Sequence, residues 1–300
     1  MGGEPVITIA IPTYNRQQIA VETVVRLLPF GAPIVIVDQT PAPYEPLASL
    51  PIRLLRLPEP SIPHAMNVAV DAAATDVVLF LDDDVIPSPS LLDAHAAAHR
   101  ERDVWAVVGQ ILQPGETPRH VAQPADDLEF HFNADEGRFV TNVMAGNLSV
   151  KRSRFVELGG FDENFVGAAY RFETDFALRV AAAGGRIWFE PRASIDHLKL
   201  ATGGLRSYGD HRTSASPFHS AGDYYFALHH RPPLWRYALR RLRANVLTRF
   251  HAAHPWTIPA KLVGELRGLL LARRLHRRGR QLGMFTSGED LATAQPTCSP

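Results

Sequence analysis

The 300-residue chain holds one cysteine, Cys298, so no disulfide forms within it, and the oxidising compartment that disulfide frameworks mark is not indicated. It has no apolar run near the roughly 20 residues that span a bilayer. Its start, Met1-Gly2-Gly3-Glu4-Pro5, lacks the basic and long apolar stretches of a signal peptide, and Val6 stands where a myristoylation motif needs Ser or Thr. No internal repeat or low-complexity segment is present. From these we expect a cytoplasmic protein. Net charge is missing too, with 31 Lys/Arg against 31 Asp/Glu, but the balance hides an asymmetry. Residues 1–230 carry 18 Lys/Arg and 28 Asp/Glu, whereas residues 231–283 carry 13 Lys/Arg and one acid, Glu265. An acidic front and a basic back imply different tasks.

What is present is an alternation of short apolar runs and helical patterns. Strands are predicted over 6–11, 33–37, 52–57, 77–81, 105–109, 143–150 and 186–189. Helices are predicted after Arg16 and over 64–74, 90–102, 153–158 and 173–183, the last closed by Gly184-Gly185. Strands alternating with helices predict an α/β fold with a mostly parallel sheet. Residues 114–138 read as a polar excursion and 207–220 as loop; 234–250 and 258–275 read as two basic amphipathic helices, and 284–300 as a frayed tail.

The most informative stretch is Phe80-Leu81-Asp82-Asp83-Asp84-Val85. Open α/β sheets present ligands at the carboxyl ends of their strands. Three adjacent acids repel one another, and burying them unpaired is costly, so a cation belongs there. Carboxylate oxygens suit Mg²⁺ or Mn²⁺, which normally arrives with substrate phosphates. The plain alternative is a solvated acidic turn ahead of Pro87-Ser88-Pro89-Ser90. Asp38 also ends an apolar strand, placing two acids on one rim, where a carboxylate can accept from a ribose hydroxyl or a base imide. Tyr14, after the first strand, can lie against a nucleobase. Glu173 and Asp175 sit near a helix N-terminus, where negative charge is favoured; Glu173 there is a candidate general base. His197, after the last strand, is a candidate metal ligand, and Gly203-Gly204 behind it suggests a mobile or closely approaching loop.

In this order the motifs resemble those of the family 2 glycosyltransferases, which have the GT-A fold, a Rossmann-like, mostly parallel sheet flanked by helices. The resemblance runs from about residue 6 to about residue 204. Ile11-Pro12-Thr13-Tyr14-Asn15-Arg16 is similar to the opening strand and turn, Val37-Asp38 to the second-strand acid, and Asn67 to the Asn ahead of the fourth strand. Leu81-Asp82-Asp83-Asp84 is similar to the Asp-x-Asp motif, Gly146-Asn147 with Gly159-Gly160-Phe161-Asp162-Glu163 to the acceptor-side segment, and Glu173-x-Asp175-Phe176 to the helix that begins with the catalytic acid.

The resemblance implies an inverting transferase that moves a hexosyl or deoxyhexosyl group from a nucleotide-diphosphate sugar to a hydroxyl acceptor. Asp84 would hold Mg²⁺ or Mn²⁺, Asp82 would contact ribose or metal, and Glu173 would deprotonate the acceptor. Pro12, Thr13, Tyr14, Asn15, Arg16, Asp38, Asn67, Asp82 and Asp83 are then expected on the donor side, and Gly146, Asn147, Phe161, Asp162 and Asp175 on the acceptor side. Three departures stand out. Glu173 replaces the commoner Asp, Met66 stands where an Arg often precedes the Asn, and Asp38-Gln39-Thr40 replaces Asp-Asp-Gly-Ser.

The expected organisation is a GT-A catalytic domain over 1–206, with a nucleotide-sugar half to about 110 and an acceptor half beyond it. A basic helical region over 207–283 and a tail over 284–300 follow. Two other readings are a degenerate binding scaffold and a sugar nucleotidyltransferase, whose glycine-rich loop is missing from Pro12 to Arg16. For the basic helices the candidate contacts are the catalytic domain, a second subunit or an anionic membrane surface, and not nucleic acid.

Overall fold

The computed structural model describes residues 6–121, 130–200, 203–231 and 233–285; Cys298, the first five residues and the expected frayed tail from 286 lie outside them. The amino-terminal half alternates strands and helices: β1 (Ile7–Thr13), α1 (Gln17–Leu27), β2 (Ile34–Asp38), α2 (Glu45–Ala48), β3 (Arg53–Arg56), α3 (Ile62–Ala72) and β4 (Val77–Leu81). Then come β5 (Val85–Pro87), α4 (Leu91–Glu101), β6 (Ala106–Leu112), β7 (Arg138–Val140), β8 (Asn147–Lys151), α5 (Arg152–Glu157), α6 (Phe172–Ala182) and β9 (Ile187–His197). Among the described residues four α-helices follow: α7 (Ala221–His230), α8 (Leu234–Asn245), α9 (Arg249–Ala253) and α10 (Ile258–Arg278).

The strands form one nine-stranded sheet in the order β3-β2-β1-β4-β8-β6-β9-β5, with β7 paired to β9. β1 to β4 run parallel, β8 runs antiparallel between β4 and β6, and β6 pairs parallel with β9. Side chains alternate between the two faces of a strand. Ile7, Ile9 and Ile11 therefore pack with Ala20, Val24 and Leu27 of α1, while Ala10, Val78 and Phe80 pack with Ala65, Met66 and Ala69 of α3. Both faces are covered, which is why β2 and β4 read as unbroken apolar runs.

Several elements depart from the sequence expectations, among them the unpredicted α2 and a β9 that runs on to His197. β5 falls in the turn expected before Pro87; it is a three-residue edge strand against the end of β9, a place where proline is tolerated. β7 is equally short and lies in the stretch read as an irregular excursion. α7 is buried from Ala221 through Ala227, so it lacks the polar face that makes a helix visible in sequence. The helix expected over 234–250 stops at Asn245, and Thr248 restarts it by accepting a hydrogen bond from the His251 amide at 3.3 Å.

The basic stretch beyond 207 is part of the core. Tyr224, Tyr225, Phe226, Ala272 and Leu275 join the apolar cluster that holds Phe155, Phe161 and Phe176. α10 faces this core with Lys261, Gly264, Glu265, Gly268, Ala272 and Leu275 and turns Leu262, Leu266 and Leu270 outward. Glycine is required at 268 because a Cβ there would run into the Ser220 side chain. Around the buried charges, Arg241 pairs with Asp223 and Glu265, and Lys261 lies 2.9 Å from Glu265.

A second buried network fixes the chain near 280. Asp175 accepts from His230 at 2.7 Å, Arg179 at 2.9 Å and Arg280 at 2.8 Å, and Asp162 accepts from Tyr225 at 2.9 Å and Arg280 at 3.2 Å. Burial alone would raise Asp175, but His230, Arg179 and Arg280 outweigh it and hold this carboxyl well below the usual range. A depressed carboxylate contributes stability above its unfolded pKa and loses it as pH falls. Asp175→Ala is expected to cost about 3–5 kcal/mol, read as a lower urea midpoint at unchanged slope, with the difference from wild type shrinking in strong acid.

Candidate active site

The three acids at the end of β4 are held apart by three different sets of partners. Asp83 turns toward β1, where its carboxylate accepts from Thr13 Oγ1 at 2.7 Å and from Arg16 at 3.2 Å. Thr23 of α1 ties down the Asp83 carbonyl at 2.7 Å. Asp84, 1% exposed, accepts from the Leu200 amide and faces Arg16, each at 3.2 Å. Asp82 projects into the cleft against Gly146, where any Cβ would collide with its carboxylate.

His197 closes the arrangement. β9 runs to this residue and pairs it with Val85, so the imidazole sits on a strand end rather than in a loop. Its Nε2 lies 3.0 Å from Asp84 Oδ1 and 3.5 Å from Asp82 Oδ2, while Nδ1 lies 3.1 Å from Gln113 Oε1. Burial within the loop raises Asp82. Burial pushes Asp83 up to about 7 against the pull of Arg16. For Asp84, His197, the Leu200 amide and Arg16 outweigh burial and keep the carboxyl low.

One ligand atom each from Asp82, Asp84 and His197 lies within 4.8 Å of the others. Asp84 Oδ1 is buried and faces His197 Nε2 at 3.0 Å. Two carboxylate oxygens and an imidazole converging in this way fit a hard divalent cation.

The cleft beside these residues has a volume of about 550 Å³. Pro12, Thr13, Tyr14 and Arg16 line it together with Asp82, Asp83, Asp84 and His197. Asn15 lies just outside, exposed at a φ of 56°, its amide bonded to Thr40 Oγ1 at 2.9 Å. Glu173 opens α6 next to the same loop, and its Oε1 accepts from the Ala145 amide at 3.1 Å. Burial, with the Asp82 charge added, pushes Glu173 up to about 7. The residue before α6, Arg171, has a φ of 75°, a strained backbone at the helix start. The glycine pair behind His197 belongs to a close approach: a Cβ at Gly203 would strike Arg16, and the Gly204 amide donates to the Tyr14 carbonyl at 2.9 Å.

Six expected site residues are placed elsewhere. Asp38 is buried beneath its own loop, accepting from Gln17 at 2.7 Å and the Thr40 amide at 2.9 Å, and its neighbour Gln39 lines the cleft instead. Asn67 clamps the turn around Phe161 by exchanging two 2.9 Å hydrogen bonds with its backbone. Phe161 is wholly buried among Phe80, Phe155, Phe172 and Phe176. Asn147 is buried in the sheet, bonded to the Gln110 and Ala193 carbonyls and to His95. Asp162 and Asp175 serve the interior network around Arg280. Of the acceptor-side expectations only Gly146 touches the site. Conversely, Gln39, Gln113, Met144, Tyr170, Tyr208 and His219 line the cleft without having been singled out. The signal for Gln113 is a polar residue just past the end of β6; for Tyr208 and His219 it is aromatic and histidine content in a stretch read as polar loop.

The sheet order and the flanking helices are those of the GT-A fold. The backbone superposes on S. aureus TarS (residues 1–349, in complex with UDP-GlcNAc) with a TM-score of 0.56 at 15% identity, covering 94% of this chain and 97% of that one. It superposes on GalNAc-T7, solved with UDP, GalNAc and Mn²⁺, with a TM-score of 0.55 at 13% identity, covering 75% and 51%. Residues 8–158 match the family model "Glycosyl transferase family 2", so the chain belongs to that family. The pre-mycofactocin glycosyltransferase of Mycobacterium tuberculosis is 27% identical over 206 residues, 64% of this chain; the alignment spans 42% of that relative's length.

Asp84→Asn keeps the shape of the loop and removes one anionic ligand. Mn²⁺ with a nucleoside diphosphate is expected to raise the melting temperature of the wild type and not that of this variant, measured by thermal unfolding with and without chelator.

Proposed function

We propose that the protein transfers a sugar from a nucleotide-diphosphate sugar to a hydroxyl acceptor with inversion at the anomeric carbon, using a divalent metal. The observation that carries this reading is the convergence of Asp82, Asp84 and His197 in the cleft, with Glu173 bonded to the Ala145 amide next to Gly146, the residue Asp82 lies against. The UDP, UDP-GlcNAc and Mn²⁺ bound by proteins of the same fold support it. Asp82, Asp84 and His197 would hold Mg²⁺ or Mn²⁺, and a bound ion supplies charge neutralisation to the departing diphosphate. Tyr14 and Gln39 offer a wall for the nucleoside, and Arg16 adds a positive charge on the diphosphate side. Glu173 takes the proton of the acceptor hydroxyl as that oxygen bonds to the anomeric carbon and the bond to the nucleoside diphosphate breaks. One in-line displacement inverts the carbon and yields glycoside and nucleoside diphosphate.

A base must be ionised to act, and burial has raised Glu173 to about 7. Turnover is therefore expected to rise as pH passes through about 7, and Glu173→Gln to lower kcat by about 10²–10⁴-fold with little change in donor affinity. Steady-state kinetics across pH, with product stereochemistry, checks this. Near-normal turnover in Glu173→Gln, or retention of configuration, overturns the assignment.

We further propose that the outward face of α8 and α10 rests on the anionic inner leaflet of a membrane. Trp235 and Leu239 of α8, Trp256 in the turn ahead of α10, and Leu262, Leu266 and Leu270 of α10 are exposed, as are Arg236, Arg243, Arg267, Arg274 and Arg278. Basic helices with aromatic and leucine side chains on the surface bind anionic lipid reversibly. No described helix is long and apolar enough to cross a membrane. Because α10 belongs to the core, substitution tests this better than truncation. Leu262→Ser, Leu266→Ser and Leu270→Ser together are expected to cut co-sedimentation with anionic vesicles at least tenfold. No wild-type binding at low salt assigns the face to a second copy of the chain.

A further inference from the structure

A second cavity of about 520 Å³ lies beside the cleft and shares Tyr170, His211 and His219 with it. Its walls come from α7, α8 and α10, outside the family-matched segment, and from Tyr170 and Arg171 ahead of Glu173. Arg171, Arg231, Arg240, Arg241 and Lys261 line it. Against these five cations stand Asp223 in the wall and Glu265 behind it. Asp223 is engaged by Arg171 at 3.3 Å, by Tyr237 at 3.0 Å and by Arg241; Glu265 is engaged by Arg241 at 2.8 Å and Lys261 at 2.9 Å. With Arg231 set aside, Arg171, Arg240, Arg241 and Lys261 still outnumber Asp223 and Glu265, so the cavity keeps a positive surplus, and Arg240 is exposed.

His219 stands in the wall common to both cavities. It is 4% exposed, and its Nε2–H donates to the Tyr208 carbonyl at 3.0 Å. A carbonyl only accepts, so this bond fixes the proton on Nε2 and leaves Nδ1 a bare acceptor. Nδ1 is buried and has no hydrogen-bond partner. Burial and the nearby Lys261 charge hold the ring below the usual imidazole range, which keeps it neutral. An unpaired buried acceptor is costly unless a ligand supplies a donor.

We propose that this cavity is the acceptor subsite and that it takes a hydroxylated anion, its phosphate or carboxylate held by Arg240 and the surrounding cations and one hydroxyl donating to His219 Nδ1. The proposal rests on the transferase reading above. It places the acceptor between α8 and the start of α6, with its reacting end directed along Tyr170 toward Glu173.

The test is calorimetric titration of the full chain with glycerol 3-phosphate, glycerate, sulfate and glycerol as separate probes. Binding of Mn²⁺ with a nucleoside diphosphate is measured in parallel. Glycerol 3-phosphate or glycerate is expected to saturate the protein where uncharged glycerol does not, and the tighter of the two identifies the anion. Arg240→Glu should weaken both anions and sulfate about tenfold. His219→Gln keeps a donor where Nε2 stood but deletes Nδ1. It should weaken glycerol 3-phosphate roughly fivefold and leave sulfate, which has no hydroxyl to donate, unchanged. Normal nucleoside-diphosphate binding without anion saturation, anion binding indifferent to both substitutions, or equal binding of glycerol overturns the subsite. Failure of the nucleoside diphosphate to bind overturns the transferase reading instead.

Discussion

Three carboxylates in consecutive positions cannot share one environment, and the site follows from how the fold separates them. Arg16 is the pin: one terminal nitrogen lies 3.2 Å from Asp83 and 3.2 Å from Asp84, and the other reaches the Leu200 carbonyl at 3.4 Å. It thereby joins the turn after β1, the acid loop after β4 and the segment after β9. With Asp83 committed to Thr13 and Arg16, the outer two acids are left to converge with His197. Within the triplet, Asp82 and Asp84 thus face His197 while Asp83 anchors the loop to β1.

The sheet and the acid loop were legible because they depend on local signals. Apolar runs such as 77–81 admit one reading when helices alternate with them, and Asp82, Asp84, His197 and Glu173 all lie at strand or helix ends where the chain direction tells where they point. The acceptor-side expectations were less legible. Asn67, Asn147, Phe161, Asp162 and Asp175 are polar or aromatic residues in motif-like surroundings, yet each is buried and bonded to a distant partner. Nothing local distinguishes a buried polar clamp from a ligand-binding residue. Asn67 meets the turn at Phe161, and Asp175 meets Arg280 more than a hundred residues away.

The C-terminal helices invert the usual rule for amphipathic patterns. The leucines of α10 that mark its apolar stripe face outward, and its buried side is made of glycines, an alanine, a leucine and an ion pair. Close approach at Gly264 and Gly268 needs small residues, and the Asp223–Arg241–Glu265–Lys261 chain satisfies its charges internally. The periodicity was readable, but which face it packs was not, because the acids that recruit Lys261 and Arg241 inward are two residues, Asp223 and Glu265, in an otherwise basic stretch.

The network around Arg280 has a consequence for how the protein ages. Glu173 and Asp175 share the first turn of α6, and Asp175 is paired with an arginine that follows α10. A protease cut just ahead of residue 280 would remove that arginine and leave two acids, Asp162 and Asp175, short of a partner under the helix that carries Glu173. Clipping there would then disturb the start of α6 first, with the sheet and the Asp82, Asp84 and His197 cluster still intact.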